Sequence, residues 1–194
     1  MKPKTIGVYC ASSPHVPPQY LQAASQLGTA LARAGVTIYY GGGAAGLMGA
    51  LADAALAAGA QVIGVRPKFI SGIENDHRGV SEMIVTQTMH ERKQVFHDRC
   101  EAFVALPGAI GTLDELIETI AWKRLGLHSR PICILNVDGF FDPLLQQLRR
   151  LVDQELVAER FLSLFAWATD VTGVMDYIGN HAPSAATPVM WDDD

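Results

Sequence analysis

Residues suited to binding a phosphate monoester occur together in the stretch Phe103–Gly126, FVALPGAIGTLDELIETIAWKRLG. An apolar strand is predicted to lead into a glycine loop, with an amphipathic helix after it. Gly108 and Gly111 let the backbone fold closely around a ligand, and free amides at a helix start attract anions. The same residues fit a structural role, since Thr112 to Glu115 match a capping box. Taken alone, they favour Thr112 as the N-cap, with the Glu115 side chain returning to the backbone.

A second segment, TMHERKQVF (Thr88–Phe96), places two cations near a predicted helix N-terminus. The helix dipole makes this position unfavourable for the positive charges of Arg92 and Lys93 unless they have an anionic partner. The usual alternative explanation for such a pair is a helix face exposed to solvent. His90 and His97 would lie about 10 Å apart along a helix, too far to bind one metal ion. No other His, Asp or Glu cluster has ligand spacing, so no metal site is predicted.

The stretch Tyr39–Gly49, YYGGGAAGLMG, contains the G-x-G-x-x-G spacing of dinucleotide-binding turns. It follows the second predicted strand, however, and the next strand ends at Arg66, where an NAD site needs an acidic residue. An arginine can accept the 2′-phosphate of NADP, which leaves an NADP-dependent oxidoreductase as an alternative. A tight packing turn is an equal alternative to any ligand site. If a ligand binds, bare amides favour a phosphate or sugar, with Ser12, Gly42 and Gly43 as candidate contacts.

The chain-wide pattern indicates how these segments are positioned. Short apolar runs alternate with stretches of helical periodicity, which is typical of a parallel sheet covered on both faces. Right-handed crossovers then predict a doubly wound, Rossmann-like α/β fold, as a single domain over residues 1–180 with a loose tail at 181–194. Ligands of such sheets bind at the carboxyl ends of the strands. The segments expected there are 11–13, 41–45, 66–81, 88–90, 107–112 and 136–139.

Composition narrows the class of protein. The 194 residues carry a net charge of −5 and no basic stripe, which argues against a dedicated nucleic-acid binder. Cys10, Cys100 and Cys133 have no metal or redox spacing, which is typical of a reduced, cytoplasmic protein. The N-terminus lacks the features of a signal peptide. The most apolar window, 44–65, contains Asp53 and Gln61, so no membrane span is expected.

Two of these segments, MHERK (Met89–Lys93) and PGAIGTLDE (107–115), resemble the LONELY GUY family of cytokinin-activating phosphoribohydrolases. That family carries an M-H-x-R-K segment and a P-G-G-x-G-T-x-x-E motif. The chain is also similar to the family at CASS (10–13), GGGAAGLMG (41–49) and LGLHSRPICILNVDGFFDPLL (125–145). The likeness extends to about Ile178, and the order and spacing of the motifs make it specific.

The resemblance and the apolar helix content predict a homodimer, with Ala121–Leu127 and Met89–Cys100 as candidate contact helices. Because metal-ligand spacings and a ribose-binding acid are both missing, the activity that the resemblance implies is expected to need no metal or nicotinamide. That activity is hydrolysis of the N-glycosidic bond of nucleoside 5′-monophosphates, both cytokinin nucleotides and AMP, to free base and ribose 5-phosphate. Arg92 and Glu115 match the catalytic pair, and Lys93 matches a substrate-binding neighbour. The other substrate-binding positions implied are Glu74, Gly108, Ala109, Ile110, Gly111, Thr112, Leu113 and Asp114.

The chain departs from the family pattern at two positions. Ala109 replaces the second glycine of the loop, which would cost about 1 kcal/mol or more if the backbone there needs a positive φ. Ala121 replaces a threonine that many relatives carry before Trp122, which would remove one hydroxyl contact with the substrate. Both departures concern substrate range and leave Arg92 and Glu115 in place.

The implied roles are chemically consistent. Cleavage of a ribosyl–base bond passes through an oxocarbenium-like state, which the Glu115 carboxylate could stabilise while it takes a proton from water. Arg92 could hold the phosphate or ribose and favour the ionised form of Glu115. An alternative of a different class is a non-catalytic carrier of a nucleotide or of molybdenum cofactor. Carriers share this type of loop but have no need of the Arg92–Glu115 pair.

Overall fold

The computed structural model describes residues 3–70, 75–181 and 186–189. Within them, seven strands form one sheet in the order β4-β3-β2-β1-β5-β6-β7, and every neighbouring pair is parallel. All seven apolar runs predicted to be strands are strands. Their bounds are β1 Thr5–Tyr9, β2 Thr37–Tyr40, β3 Val62–Pro67, β4 Glu82–Thr86, β5 Ala102–Ala105, β6 Ile132–Leu135 and β7 Ala166–Ala168.

Among the described residues, six α-helices cover both faces of the sheet, which confirms the doubly wound fold. One buried apolar cluster joins α1, α2 and α6 to the sheet, and a second cluster joins α3, α4 and α5. No helix of the described residues is long and apolar enough to cross a membrane. The helices are α1 Pro18–Arg33, α2 Gly46–Ala57, α3 Met89–Arg99, α4 Ile110–Arg124, α5 Asp142–Asp153 and α6 Val171–Asn180, with 3₁₀ turns at Val137–Gly139 and Glu159–Leu164.

Local sequence signals fix most of the helix ends. Pro18 occupies the first turn of α1, and Gly35, at φ 71°, follows its last turn. Thr88 caps α3, because the Glu91 amide donates to the Thr88 Oγ1 at 3.1 Å. The Glu91 carboxylate in turn accepts from the Gln87 amide at 2.7 Å. This reciprocal cap sets the first turn of the helix that carries Arg92 and Lys93.

The start of α4 differs from the prediction. The helix begins at Ile110, with the extended residue Ala109 (φ −86°, ψ −160°) as its N-cap and no side-chain hydrogen bond at that cap. Thr112 and Glu115 are therefore interior helical residues, and the capping-box interpretation is wrong. The Glu115 side chain points to the carboxyl edge of the sheet instead of back to the α4 backbone.

The strand order creates a crevice at the carboxyl ends of β1 and β5. On one side of β1 lie β2, β3 and β4, in that order outward. On the other side of β1 lie β5, β6 and β7. The loops leaving β1 and β5 consequently diverge to opposite faces of the sheet. Such a switch point is where open parallel sheets bind their ligands.

The end of the chain, predicted to be a loose tail, is described only in part. The amide of Val189 donates to the carbonyl of Arg124 at 2.7 Å, close to the end of α4. Trp191 and the remainder of the tail lie outside the described residues.

Candidate active site

A cleft of about 300 Å³ opens at this switch point, within the size range of small-molecule sites, roughly 300–1,000 Å³. Five of the six segments expected at the carboxyl ends of the strands contribute to it. The sixth, residues 136–139, does not line the cleft, because Asn136 bonds to Asp142 and to the Phe141 amide at the start of α5. The described lining residues are Cys10, Ala11, Ser12, Gly41, Met48, Arg66, Pro67, Ile70, Met89, Arg92, Ala109, Gly111, Thr112 and Glu115.

The polar centre of the cleft is an ion pair between α3 and α4. Arg92 Nη2 lies 2.8 Å from Glu115 Oε1, and both residues are over nine-tenths buried. Arg92 Nε also donates to the carbonyl of Val65 at 3.2 Å, which ties the guanidinium to β3. The starts of α3 and α4 therefore open on one crevice. The anionic partner that the position of Arg92 requires is supplied by the protein itself.

Burial perturbs the ionisation of Glu115. Removal from water raises the pKa of its carboxyl above the ordinary value, and the Arg92 charge opposes this rise without cancelling it. A carboxylate with a raised pKa is a stronger base than an ordinary glutamate. The geometry therefore provides a base next to a buried positive charge.

The loop before α4 brings the N-terminus of that helix to the cleft. Ala109, Gly111 and Thr112 line it at the helix N-terminus, where first-turn amides have no helical partner. Gly108 is required sterically, because a Cβ there would lie 2.6 Å from the Thr112 Cβ. Ala109 has a negative φ, so its side chain costs no backbone strain. The departure from glycine at position 109 therefore leaves the loop geometry unchanged.

Several positions that the resemblance assigns to substrate binding lie outside the lining. Ile110 is 81% exposed on the outer face of α4, and Leu113 packs into the core. Lys93 and Asp114 contact each other at 2.8 Å, away from the cleft. Glu74 lies outside the described residues. Their roles in substrate binding stay predictions.

The glycine-rich turn after β2 serves packing. Gly41 lines the cleft, and a Cβ there would lie 2.9 Å from Arg92 Nη2, so only glycine leaves room for that guanidinium. The carbonyl of Gly42 accepts a hydrogen bond from the His77 amide at 3.0 Å, and Gly43 forms an isolated antiparallel β-bridge with Asp76. Gly42 and Gly43 thus hold the loop after β3 and do not line the cleft, whereas Ser12, the third candidate sugar-phosphate contact, does.

Arg66 lies near the end of β3, which β2 and β1 separate from β5, the strand that leads into α4. It is 1% exposed, and its Nε lies 2.7 Å from Asp76 Oδ1, so a carboxylate already accompanies the cation. The packing partners nearby, Pro67, Ile70 and Met89, are apolar. Sequence reasoning considered Arg66 only as a 2′-phosphate site. It did not single out Met48 or Cys10, whose positions just inside α2 and at the end of β1 gave no chemical signal.

No group of three or more metal-ligating side chains occurs among the residues that the structure describes. Cys10, Cys100 and Cys133 are buried and free. Burial raises the pKa of the Cys10 thiol in particular, which keeps it protonated beside Glu115. Arg92 and Glu115 form the buried ion pair among the described residues that line the cleft.

Known proteins resemble this chain over most of its length. A family model described as "Possible lysine decarboxylase" matches residues 48–178. The cytokinin riboside 5′-monophosphate phosphoribohydrolase of rice (Oryza sativa subsp. japonica) is 37% identical over 190 residues, covering 98% of this chain and 78% of the relative. The enzyme of the same name from Rhodococcoides fascians is 36% identical over 174 residues, covering 89% of this chain and 88% of the relative.

Solved structures share the fold at lower identity. The molybdenum cofactor binding protein of Rippkaea orientalis superposes with a TM-score of 0.70 at 22% identity, covering 92% of this chain and 96% of the other. The molybdenum cofactor carrier protein of Chlamydomonas reinhardtii gives 0.68 at 24% identity, covering 91% and 95%. At this identity the comparison supports the architecture alone.

Proposed function

Because this chain belongs to the LONELY GUY family of cytokinin riboside 5′-monophosphate phosphoribohydrolases, we propose that it hydrolyses nucleoside 5′-monophosphates. The substrates are cytokinin nucleotides and AMP, and the products are the free base and ribose 5-phosphate. The observation that carries the proposal is the buried Arg92–Glu115 pair, 2.8 Å apart, in a cleft that begins at a helix N-terminus.

The cleft supports one orientation of such a substrate. Its phosphate accepts hydrogen bonds from the first-turn amides of α4, with the hydroxyls of Ser12 and Thr112 nearby. Its ribose lies beside Glu115, and its base extends toward the apolar end formed by Pro67 and Met89. Anchoring the phosphate lets binding energy far from the reacting bond position the anomeric carbon.

The two catalytic side chains then have separate tasks. Glu115 stabilises positive charge that develops on the ribose ring and takes a proton from the attacking water, whose oxygen bonds to the anomeric carbon. The base leaves with the electrons of the glycosidic bond and is protonated. Arg92 orients Glu115 and favours its ionised form. No step needs a metal or a nicotinamide.

Two other activities fit the cleft less well. A carrier of molybdenum cofactor has no need of an ion pair that costs desolvation to bury. A pyridoxal-phosphate decarboxylase needs a lysine that forms a Schiff base with the cofactor. No lysine is among the described residues that line the cleft.

The first test compares AMP and isopentenyladenosine monophosphate with their nucleosides. We expect release of free base from both monophosphates, and a kcat/KM for adenosine at least about 10–100-fold lower, since one charge-assisted hydrogen bond contributes ~1.5–3 kcal/mol. The assay contains EDTA and no nicotinamide, and chromatography detects the base. Equal turnover of AMP and adenosine, or activity only after metal is added, would contradict the proposal.

A homodimer is proposed together with this activity, and α4 is the better of the two predicted contact helices. The exposed side chains of α3 are polar, whereas the outer face of α4 and the turn after it expose Ile110, Ile117, Leu125 and Leu127. Ala121 lies on this α4 face and not in the cleft of its own chain. A substrate contact from position 121, as the resemblance implies, would therefore come from a second copy.

Ile117→Arg tests the dimer. The substitution places a charge in the apolar α4 face, so we expect wild type at twice the 20.9 kDa chain mass and the variant at the monomer mass by light scattering. Leu156→Arg is the control, because Leu156 is 59% exposed in the segment after α5. A monomeric wild type would refute the dimer, and a dimeric Ile117→Arg variant would refute this interface.

The three free, buried thiols favour a reducing compartment. We place the protein in the cytoplasm on that basis, and fluorescence of a tagged chain in the source cell would check it.

A further inference from the structure

A second ionic cluster lies beside the catalytic pair, between the same two helices. Lys93 Nζ is 2.8 Å from Asp114 Oδ2 and 3.0 Å from Glu118 Oε2. The Lys93 side chain is 14% exposed, and it does not line the cleft. This cluster comprises Lys93, Asp114 and Glu118, and we call it the α3–α4 clamp.

The clamp and the catalytic pair use adjacent residues on both helices. Arg92 contacts Glu115, and its neighbour Lys93 contacts Asp114, so two cross-helix ion pairs run side by side. Asp114 and Glu118 are four residues apart, which places both on one face of α4. An ammonium with three donors can bond to both of them at once. The pairs together fix the separation and register of the two helix starts.

The clamp also determines which charges surround Glu115. Besides Arg92, the nearby groups are Lys93 on α3, Asp114 and Glu118 on α4, the neutral Tyr9 on β1 and the neutral Cys10 directly after β1. The two neighbouring carboxylates oppose a further negative charge on Glu115, and Lys93 offsets them. Without Lys93, Glu115 would share its surroundings with two uncompensated carboxylates.

We propose that Lys93 is a positioning residue: it holds Asp114 and Glu118 against α3, and so keeps the Glu115 carboxylate beside Arg92 and shields it from their negative charge. The inference rests on the proposed function, since Glu115 is the base of that reaction. It replaces the direct substrate contact that the family resemblance implies for Lys93.

The pH profile of Lys93→Met distinguishes positioning of Glu115 from direct binding of the substrate phosphate. We expect the acid limb of kcat/KM for AMP to move up by about one pH unit, in line with the loss of a nearby opposite charge, while KM changes less than about twofold. Lys93→Arg should restore the wild-type limb, because it keeps the charge and several donors. If Lys93 binds the phosphate, KM rises instead and the limb stays in place, which would overturn the proposal.

Removing the two carboxylates supplies an independent check. The triple variant Lys93→Met, Asp114→Asn, Glu118→Gln lacks the negative charges of both carboxylates. The acid limb of its kcat/KM for AMP should therefore return toward the wild-type position. A ligand role for Lys93 predicts no such rescue. Arg99→Met is the matched control, because Arg99, like Lys93, is a cation on α3 but is exposed. The acid limb of kcat/KM in this variant should stay at the wild-type position.

A measurement without turnover distinguishes failure of this inference from failure of the proposed function. The Glu115 carboxyl is titrated by NMR in the unliganded protein, in wild type and in Lys93→Met. A higher pKa in the variant supports the positioning role even if no base is released from AMP. An unchanged pKa refutes the positioning role whether or not the protein is a hydrolase.

Discussion

Glu115→Gln is expected to lower base release from AMP by about 10²–10⁴-fold, the usual contribution of a general base, while the protein folds and still binds nucleotide. Glutamine keeps the size of the side chain and a hydrogen bond to Arg92, but it can neither accept the proton of water nor offset a developing oxocarbenium charge. Base release is followed by chromatography, nucleotide binding by calorimetry and unfolding by thermal melting.

The melting data add a pH test with a defined sign. Burial raises the pKa of Glu115 in the folded protein, so the wild type has a stabilising contribution at low pH that is lost as pH rises through that raised pKa. Glutamine does not titrate. The melting temperature of the variant relative to wild type should therefore be higher at neutral pH than at acidic pH.

The control for this variant is Glu82→Gln, an exposed carboxylate at the amino end of β4, away from the cleft. It should keep full turnover. An active Glu115→Gln protein would remove Glu115 from catalysis and favour a carrier function. Because no side chain caps α4, lower stability of this variant could not be explained by loss of a cap.

Arg92→Ala is expected to lower turnover by a similar factor and also to weaken the fold. Loss of the guanidinium removes the contact with Glu115 and the hydrogen bond to Val65. Breaking a buried pair costs up to about 3–5 kcal/mol when the remaining charge persists, and less here to the extent that Glu115 becomes protonated. We therefore expect a lower melting temperature and weaker nucleotide binding than in wild type. The acid limb of kcat/KM should move to a higher pH than in Lys93→Met.

Two variants make the result specific. Arg92→Lys keeps a cation but loses the planar fork that reaches both Glu115 and Val65, so it should recover stability more than turnover. Arg99→Ala removes an exposed cation from the same helix and should change neither. Wild-type turnover in Arg92→Ala would show that the ion pair is structural only.

The sheet was predictable because its signals are local. Each strand is a short apolar run, and turn residues such as Gly35 and Gly59, both at positive φ, end the helices that follow. The strand-end rule then placed five segments at one edge without any knowledge of contacts. The segment after β6 also follows the carboxyl end of its strand, but it does not line the cleft, and Asn136 bonds to the start of α5.

The start of α4 was not predictable from its own residues. Thr112 to Glu115 match a capping box, and nothing in those four residues shows that the helix begins at Ile110. What determines the orientation of Glu115 is Arg92, 23 residues earlier in the chain. For the same reason the partners of Lys93 appeared only in the structure, since Asp114 and Glu118 belong to another helix.

The loop before α4 also bears on how members of this family are recognised in genomes. Position 108 is constrained by the Thr112 side chain, whereas position 109 has a negative φ and bears its alanine without strain. A search pattern that requires glycine at both positions would reject this chain because of Ala109, although the backbone conformation at that position does not require glycine. A pattern that keeps glycine at 108, accepts a small residue at 109 and adds the arginine 23 residues before the glutamate would describe the site more faithfully.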